Sequence, residues 1–337
     1  MKSKNIFRES WIANRESRIE KICEICGLFF FFRISVPLWL TILMFLLPCG
    51  VFAQSKYIAT SPLQFLKMGI GPRVEAMAGA YVGLADDENA VLLNPAGLAN
   101  IKGKRLGMFH RAGLVGIGLE SISYTHHFEE SPAGLGANLL FLHSPKIDRT
   151  IDSTTKVDDF YCYDAALTLG YGREVSPDLL VGGSLRLIQE KLDDKKANTA
   201  CFDVGLLFDT GYDGLTLGMS LANIGKGVKF ISKEEDLPIT LRGGASLKLL
   251  KDTLIISSQI DKSIDSPVIA RLGVEHKVLE SVFLRAGYSN EKDIGSGISL
   301  GMGITFRNIL ADISFTPYGD LGNVTNLSLC FQFLPEE

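Results

Sequence analysis

The sequence is short of the features that mark most functional classes. After Ala53 no apolar run is long enough for a transmembrane helix, which needs about twenty residues. A helical membrane protein is therefore excluded, although the mean hydropathy is positive. Lys and Arg number 34 against 38 Asp and Glu, a net charge of -4. That balance leaves no basic footprint, so nucleic acid is excluded as a partner. Histidine is sparse and scattered: His110, His126, His127, His143 and His276 stand beside no serine motif and no second ligand at metal spacing. His126 and His127 point to opposite faces of a strand and cannot chelate together. No P-loop or dinucleotide fingerprint is present. Beyond the front of the chain only Cys162, Cys201 and Cys330 remain. An odd count without tight spacing excludes a disulfide framework and a metal cluster. Cys23-x-x-Cys26 falls in a segment read below as removed. Asp86-Asp87-Glu88 lacks the alternating ligand spacing of a calcium loop and reads as a solvated turn or helix start, where acids are favoured. With no catalytic constellation, the expectation is a protein that is not an enzyme and has no cofactor.

What is present begins with export. Residues 1–21 are polar and charged, and 28–53 are apolar apart from Arg33. Pro48 and Gly50 break the end of that run, and Val51-Phe52-Ala53 has the pattern that precedes a cleavage site. Residues 1–53 are read as a signal peptide cut before Gln54 rather than a retained anchor. Its polar head is long, so the true start lies within the sequence as written. A lipoprotein at Cys49 is disfavoured by Pro48, which occupies the place of a small residue.

From Lys104 onward, apolar residues alternate with polar or small ones in runs of about ten, the signature of barrel strands. Phe202, Val204, Leu206 and Phe208 share one face, opposite Asp203, Gly205 and Asp209. Ile298, Leu300, Met302, Ile304 and Phe306 oppose Ser299, Gly301, Gly303 and Thr305. Strands are expected near 104–111, 115–128, 134–143, 160–172, 179–191, 200–209, 214–223, 238–248, 253–261, 268–277, 281–289, 296–306, 310–317 and 324–333. That is about fourteen, an even number as single-chain bacterial barrels require. A parity change between Leu119 and Ile122 predicts a bulge near Glu120-Ser121. Long connections (144–159, 193–199, 224–237) alternate with short ones (210–213, 250–252, 279–280), the asymmetry of outer loops and periplasmic turns. The expected fold is all-β: a transmembrane antiparallel β-barrel over 104–337, preceded by an N-terminal lumenal hatch over 54–103.

The hatch reading rests on 65–100, which has neither a helix nor a strand period but carries Gly69, Gly71, Gly79, Gly83 and Gly97. Asn94-Pro95-Ala96-Gly97 fits a capped turn, Asn94 as N-cap and Pro95 at the first helical position. Such a Gly-rich stretch stays ordered only when something surrounds it. The residues Phe65-Leu66-Lys67-Met68-Gly69, Arg73, Met77-Ala78-Gly79-Ala80, Ala85-Asp86-Asp87 and Asn94-Pro95-Ala96-Gly97-Leu98 resemble the N-terminal region of the PorV/PorQ family and, more distantly, of FadL-type outer-membrane transporters. Asn223-Ile224-Gly225, Leu237-Pro238 and 241–245 resemble the mid-barrel pattern of the same proteins. Pro72, Ala78 and Leu93 depart from the family pattern. The resemblance implies that 65–100 folds into the lumen, with Gly69, Arg73, Gly79, Asn94, Pro95 and Gly97 as its motif. It implies an outer-membrane adaptor of type IX-like secretion, with secretion-machinery or exported proteins as partners. The FadL alternative implies a transporter of hydrophobic small molecules; outer-membrane lipid is a partner on either reading. Arg186, Arg242, Arg271, Glu275 and Arg285 are expected to face the lumen. A network pairing internally or against the hatch is the weightier reading of these charges than a headgroup clamp.

Overall fold

In the computed structural model the described residues are 63–337, apart from 129, 152–154, 230–233, 292–294 and 334–337. The signal-peptide reading and Cys23-x-x-Cys26 lie outside them. No helix among the described residues is long and apolar enough to cross a membrane.

Fourteen antiparallel strands form a closed barrel. They are β1 (Lys104–Ala112), β2 (Gly118–Phe128), β3 (Ala133–His143), β4 (Tyr163–Ser176), β5 (Leu179–Leu192), β6 (Lys195–Asp209) and β7 (Leu215–Gly225). The circuit continues through β8 (Thr240–Leu249), β9 (Leu254–Ser263), β10 (Val268–Leu279), β11 (Val282–Ser289), β12 (Ile298–Phe306), β13 (Ile309–Pro317) and β14 (Asn323–Phe333). Each strand pairs with its neighbours in sequence order. Lys104 opposite Phe333 and Ala112 opposite Thr325 join β1 to β14 and close the sheet. Closure removes every edge, as a sheet in lipid requires, because unpaired backbone groups cannot be satisfied there.

Alternation decides which side of the wall each residue faces. Leu139, Leu169, Phe202, Leu284, Leu300 and Leu329 point outward and are each between 47% and 53% exposed. Their neighbours Asn138, Thr168, Asp203, Arg285, Ser299 and Cys330 point inward and are buried. A continuous apolar belt around a polar interior inverts the soluble arrangement. It fits a chain surrounded by hydrocarbon.

Two local expectations are corrected. No bulge interrupts Glu120-Ser121: β2 keeps an unbroken register with both β1 and β3. Leu119 instead turns inward and is fully buried, so the parity break marked an apolar lumen residue. The expected loop 193–199 shrinks to Asp193-Asp194, because Lys195 to Thr199 continue β6 against β5. Polar residues alternate there above the apolar belt and read as loop. At the same end, the connections 144–162 and 226–239 each carry a small two-stranded ribbon, Ile147–Thr150 with Lys156–Phe160 and Val228–Lys229 with Glu234–Glu235. The opposite end has only tight turns, such as 307–308 and 280–281.

Replacing Leu300 by Arg on the belt is expected to destabilise the inserted barrel by roughly 2–4 kcal/mol. Val115, in the 113–117 connection and 85% exposed, should accept Arg without measurable loss. Urea unfolding in phospholipid vesicles checks both; equal effects would contradict the lipid-facing belt.

Candidate functional site

The lumen is occupied by residues 63–103. A 3-10 turn over Gln64–Lys67 enters at the long-loop end. Lys67 Nζ donates to Asp265 Oδ2 at 2.9 Å and Gln64 Nε2 to the same oxygen at 3.0 Å. Burial alone would raise the Asp265 carboxyl, but its hydrogen bonds from Gln64, Ser263 and Lys67 hold it well below the ordinary aspartate range. The chain then descends through a one-turn helix, Pro72–Ala76, which packs on β11–β14. It crosses β7–β9 at Tyr81 to Gly83 and reaches the 3-10 turn Pro95–Ala99 against β2–β6. Met77, Tyr81, Val82, Val91 and Leu98 are each no more than 1% exposed. The segment thus supplies most of the apolar core, joined by wall residues such as Leu140 and Ile188.

Arg73 organises the charges. Its Nε and Nη2 make a two-pronged contact with Glu275 at 2.8 and 2.9 Å. Its Nη1 donates to Asp86 and to Asp87, the latter at 2.9 Å. Asp87 is buried, not solvated, and also accepts from Tyr81 Oη at 2.7 Å and from the Asn89 backbone N–H at 2.9 Å. Glu275 is shared: Arg285 Nε donates to it at 2.6 Å and reaches Asp312 through Nη1. Arg271 joins Asp261 (2.8 Å) to the Ala78 carbonyl (2.9 Å). Arg186 bridges Asp203, Asn223 and Thr168. Asp86 and Asp87 therefore serve arginine, and among the described residues no group of three or more His, Cys, Asp or Glu could hold a metal.

Arg242 is the exception among the five lumen residues singled out from the sequence. It is 7% exposed, yet its Nη1 is buried without a hydrogen-bond partner among the described residues. Ser220, directly across the β7–β8 ladder, is equally unsatisfied at Oγ.

The motif residues meet the wall by close approach. Asn94 Oδ1 accepts from the Ala96 N–H at 3.3 Å, while its Nδ2 donates to Val82 O at 2.8 Å and to Leu206 O on β6 at 3.0 Å. The side chain therefore caps the turn and ties it to the wall. A Cβ at Gly97 would lie 2.0 Å from the Ala85 carbonyl oxygen, and one at Gly69 would strike the Glu75 carboxylate. Gly79 has φ +82° and lies against Arg271. The wall answers with its own inward glycines, some of which the sequence reading placed on that face without assigning them a contact with the hatch. A Cβ at Gly182 would be 2.3 Å from Pro95 C, and one at Gly205 would be 2.0 Å from Asn94 Oδ1. The available signal was glycine recurring at inward positions, as in Gly134 and Gly136 or Gly170 and Gly172. Gln259, whose Oε1 accepts from the N–H groups of Tyr81 and Val82, carries no such signal. One cavity between hatch and wall, beside Glu88, Asn89 and Phe109, measures about 10 Å³, room for at most one water.

A closed 14-stranded barrel with its lumen filled by the preceding segment defines the class. The chain belongs to the uncharacterised protein family UPF0164, whose model matches residues 51–222. No curated protein sequence matches it. Among solved structures, the chain is similar to the CymD monoaromatic hydrocarbon channel, with 14% identity and a TM-score of 0.58 over 80% of this chain and 99% of that one. The Ralstonia pickettii toluene transporter TbuX is similar at 14% identity and a TM-score of 0.56, over 79% and 98% of the two chains. A Pseudomonas aeruginosa FadL homologue gives 12% and 0.57, over 78% and 98%. At these identities the likeness concerns the fold. None of these matches carries the PorV/PorQ name.

Arg285→Gln would strand Asp312 and leave Glu275 to Arg73 alone, and losing one partner of a buried pair costs about 3–5 kcal/mol. Arg242→Gln removes a buried guanidinium whose Nη1 is unsatisfied among the described residues and should leave the unfolding midpoint unchanged or raised. Ala78 has φ +51°, where Gly is favoured, so Ala78→Gly should gain up to about 1 kcal/mol. Denaturant titration of the three variants checks the ranking; a loss for Arg242→Gln as large as for Arg285→Gln would contradict it.

Proposed function

We propose that this chain is an outer-membrane transporter that admits hydrophobic small molecules past a lumenal hatch. It is exported with loss of residues 1–53, and its long-loop end faces outward. The carrying observation is the content of the lumen. An open water-filled pore would serve polar solutes, whereas here an apolar segment is packed against the wall. A solute displacing that packing exchanges apolar contact for apolar contact. The similar structures, a monoaromatic hydrocarbon channel and a toluene transporter, support this reading. They do not support the adaptor of type IX-like secretion that the PorV/PorQ resemblance implies, so transport is taken first. On this reading Gly69, Gly79 and Gly97 let the hatch approach the wall, Asn94 and Pro95 fix its second turn, and Arg73 with Glu275, Arg271 and Arg285 locks its first half. No reacting group is invoked.

The test is uptake into proteoliposomes of a panel of apolar solutes, from toluene to long-chain hydrocarbons, beside ionic conductance in planar bilayers. The parent protein should accelerate apolar uptake while conducting few ions. Gly182→Leu, which pushes Pro95–Ala99 off the wall, should raise conductance severalfold. A parent that conducts as an open pore, or that moves no apolar solute, overturns the proposal.

A further inference from the structure

The wall formed by β4, β5 and β6 is built from strands of 14, 14 and 15 residues. A bilayer crossing needs only about 9–11, so this wall rises past the hydrocarbon at the long-loop end. Its outward face changes character there. Leu185 and Leu187 on β5 and Phe202 on β6 belong to the belt. Continuing outward on the same faces come Gln189 and Lys191 on β5, and Asn198 and Lys196 on β6. Tyr163 Oη donates to Gln189 Oε1 at 2.9 Å, and Gln189 Nε2 to Asn198 Oδ1 at 3.0 Å. This is a polar ledge laid directly on the apolar belt. Lys191 Nζ stands 4.6 Å from the ring centre of Tyr161 and 5.7 Å from that of Tyr163.

Lys191 and Lys196 are direct cross-strand partners. Like charges placed opposite each other on one face of a sheet are destabilising. Nearby acids do not relieve them: Asp193 is taken by Arg149 and Asp194 by Lys195. Neither Lys191 nor Lys196 makes an ion pair with a described residue. Two unneutralised ammonium groups, above an aromatic and amide ledge, at the height where hydrocarbon gives way to headgroups, call for an anion supplied by the membrane. We propose that this face binds the phosphate-bearing headgroup of an anionic outer-leaflet lipid. The phosphate lies between Lys191 and Lys196, the ledge donates to headgroup oxygens, and the acyl chains run down Leu185, Leu187 and Phe202. The inference rests on the membrane orientation proposed above.

The test uses the full mature chain in neutral detergent, titrated with lipid A in mixed micelles and followed by native mass spectrometry. Lys191→Gln with Lys196→Gln should weaken lipid A binding by roughly tenfold or more, since each lysine near an anionic surface contributes appreciably. The Lys191→Arg, Lys196→Arg pair should retain it. Lys262→Gln, on the outward face of β9, should change nothing. Phosphatidylcholine should bind weakly to every form, and inorganic phosphate should not compete at equal concentration. Equal lipid A binding by parent and double Gln variant overturns the proposal, as does phosphatidylcholine binding like lipid A, or competition by inorganic phosphate. Insertion into vesicles, read from heat-modifiable gel migration, separates the two readings. A parent that does not insert defeats the membrane assignment; a parent that inserts but binds without regard to the lysines defeats only the lipid site.

Discussion

Everything inside this barrel depends on the burial of Arg73. A guanidinium cannot be taken from water into a packed lumen unless its donors are met by acceptors placed beforehand. Asp86 and Asp87 come from the hatch itself, and Glu275 comes from the wall. Glu275 is held in turn by Arg285, and Arg285 by Asp312. Removing Arg73 leaves Asp87 without a cation, and removing Arg285 leaves Asp312 without one, so the group behaves as one unit rather than as a sum of contacts. Hatch and wall are interdependent for that reason: each holds charges that are tolerable only in the presence of the other.

The opposite side of the lumen is joined by a different means. Along β3 to β6 the wall presents glycine, and the hatch presents the backbone of Pro95–Ala99. Contact there is largely between main chains, with Asn94 bridging both and Arg186 reaching the Leu92 carbonyl. Charge fixes the hatch to β10–β13, and close approach fixes it to β3–β6. The two attachments fail in different ways. An added methyl group breaks the second and leaves the first intact; loss of one carboxylate does the reverse.

The barrel was legible because its signal repeats. Period-two alternation in Phe202–Phe208 or Ile298–Phe306 is a local property that a wall buried on one side and wetted by lipid on the other imposes strand by strand. Where local and tertiary demands diverge, the reading fails. Leu119 breaks the alternation because it joins the apolar cluster inside the lumen, and nothing in β2 itself records that. Lys195 to Thr199 read as loop because their polar side chains sit above the belt, although their backbone pairs normally. Asp86 and Asp87 read as solvated because an acidic pair gives no sign of the arginine that will meet it. The same limit applies to Arg242: in sequence it is indistinguishable from Arg186 or Arg271, and only the assembled lumen leaves its Nη1 without a hydrogen-bond partner among the described residues.

The distribution of apolar surface gives the hatch its importance. The leucines of the belt face lipid, where burial against protein gains little, since hydrocarbon is as apolar as the side chain. The inward wall is mostly serine, threonine, glycine and paired charge. The largest apolar core belonging to the protein itself is therefore the hatch, with Met77, Tyr81, Val91 and Leu98 enclosed by the wall. A permanent channel beside it would cost that core its packing, because a void leaves its lining without contact atoms. An apolar solute need not create such a void, as it can replace the contacts it disturbs while it passes. A path that exists only while a solute fills it is thus compatible with a lumen closed at rest, and it would distinguish an apolar molecule from an ion without any binding group specific to either.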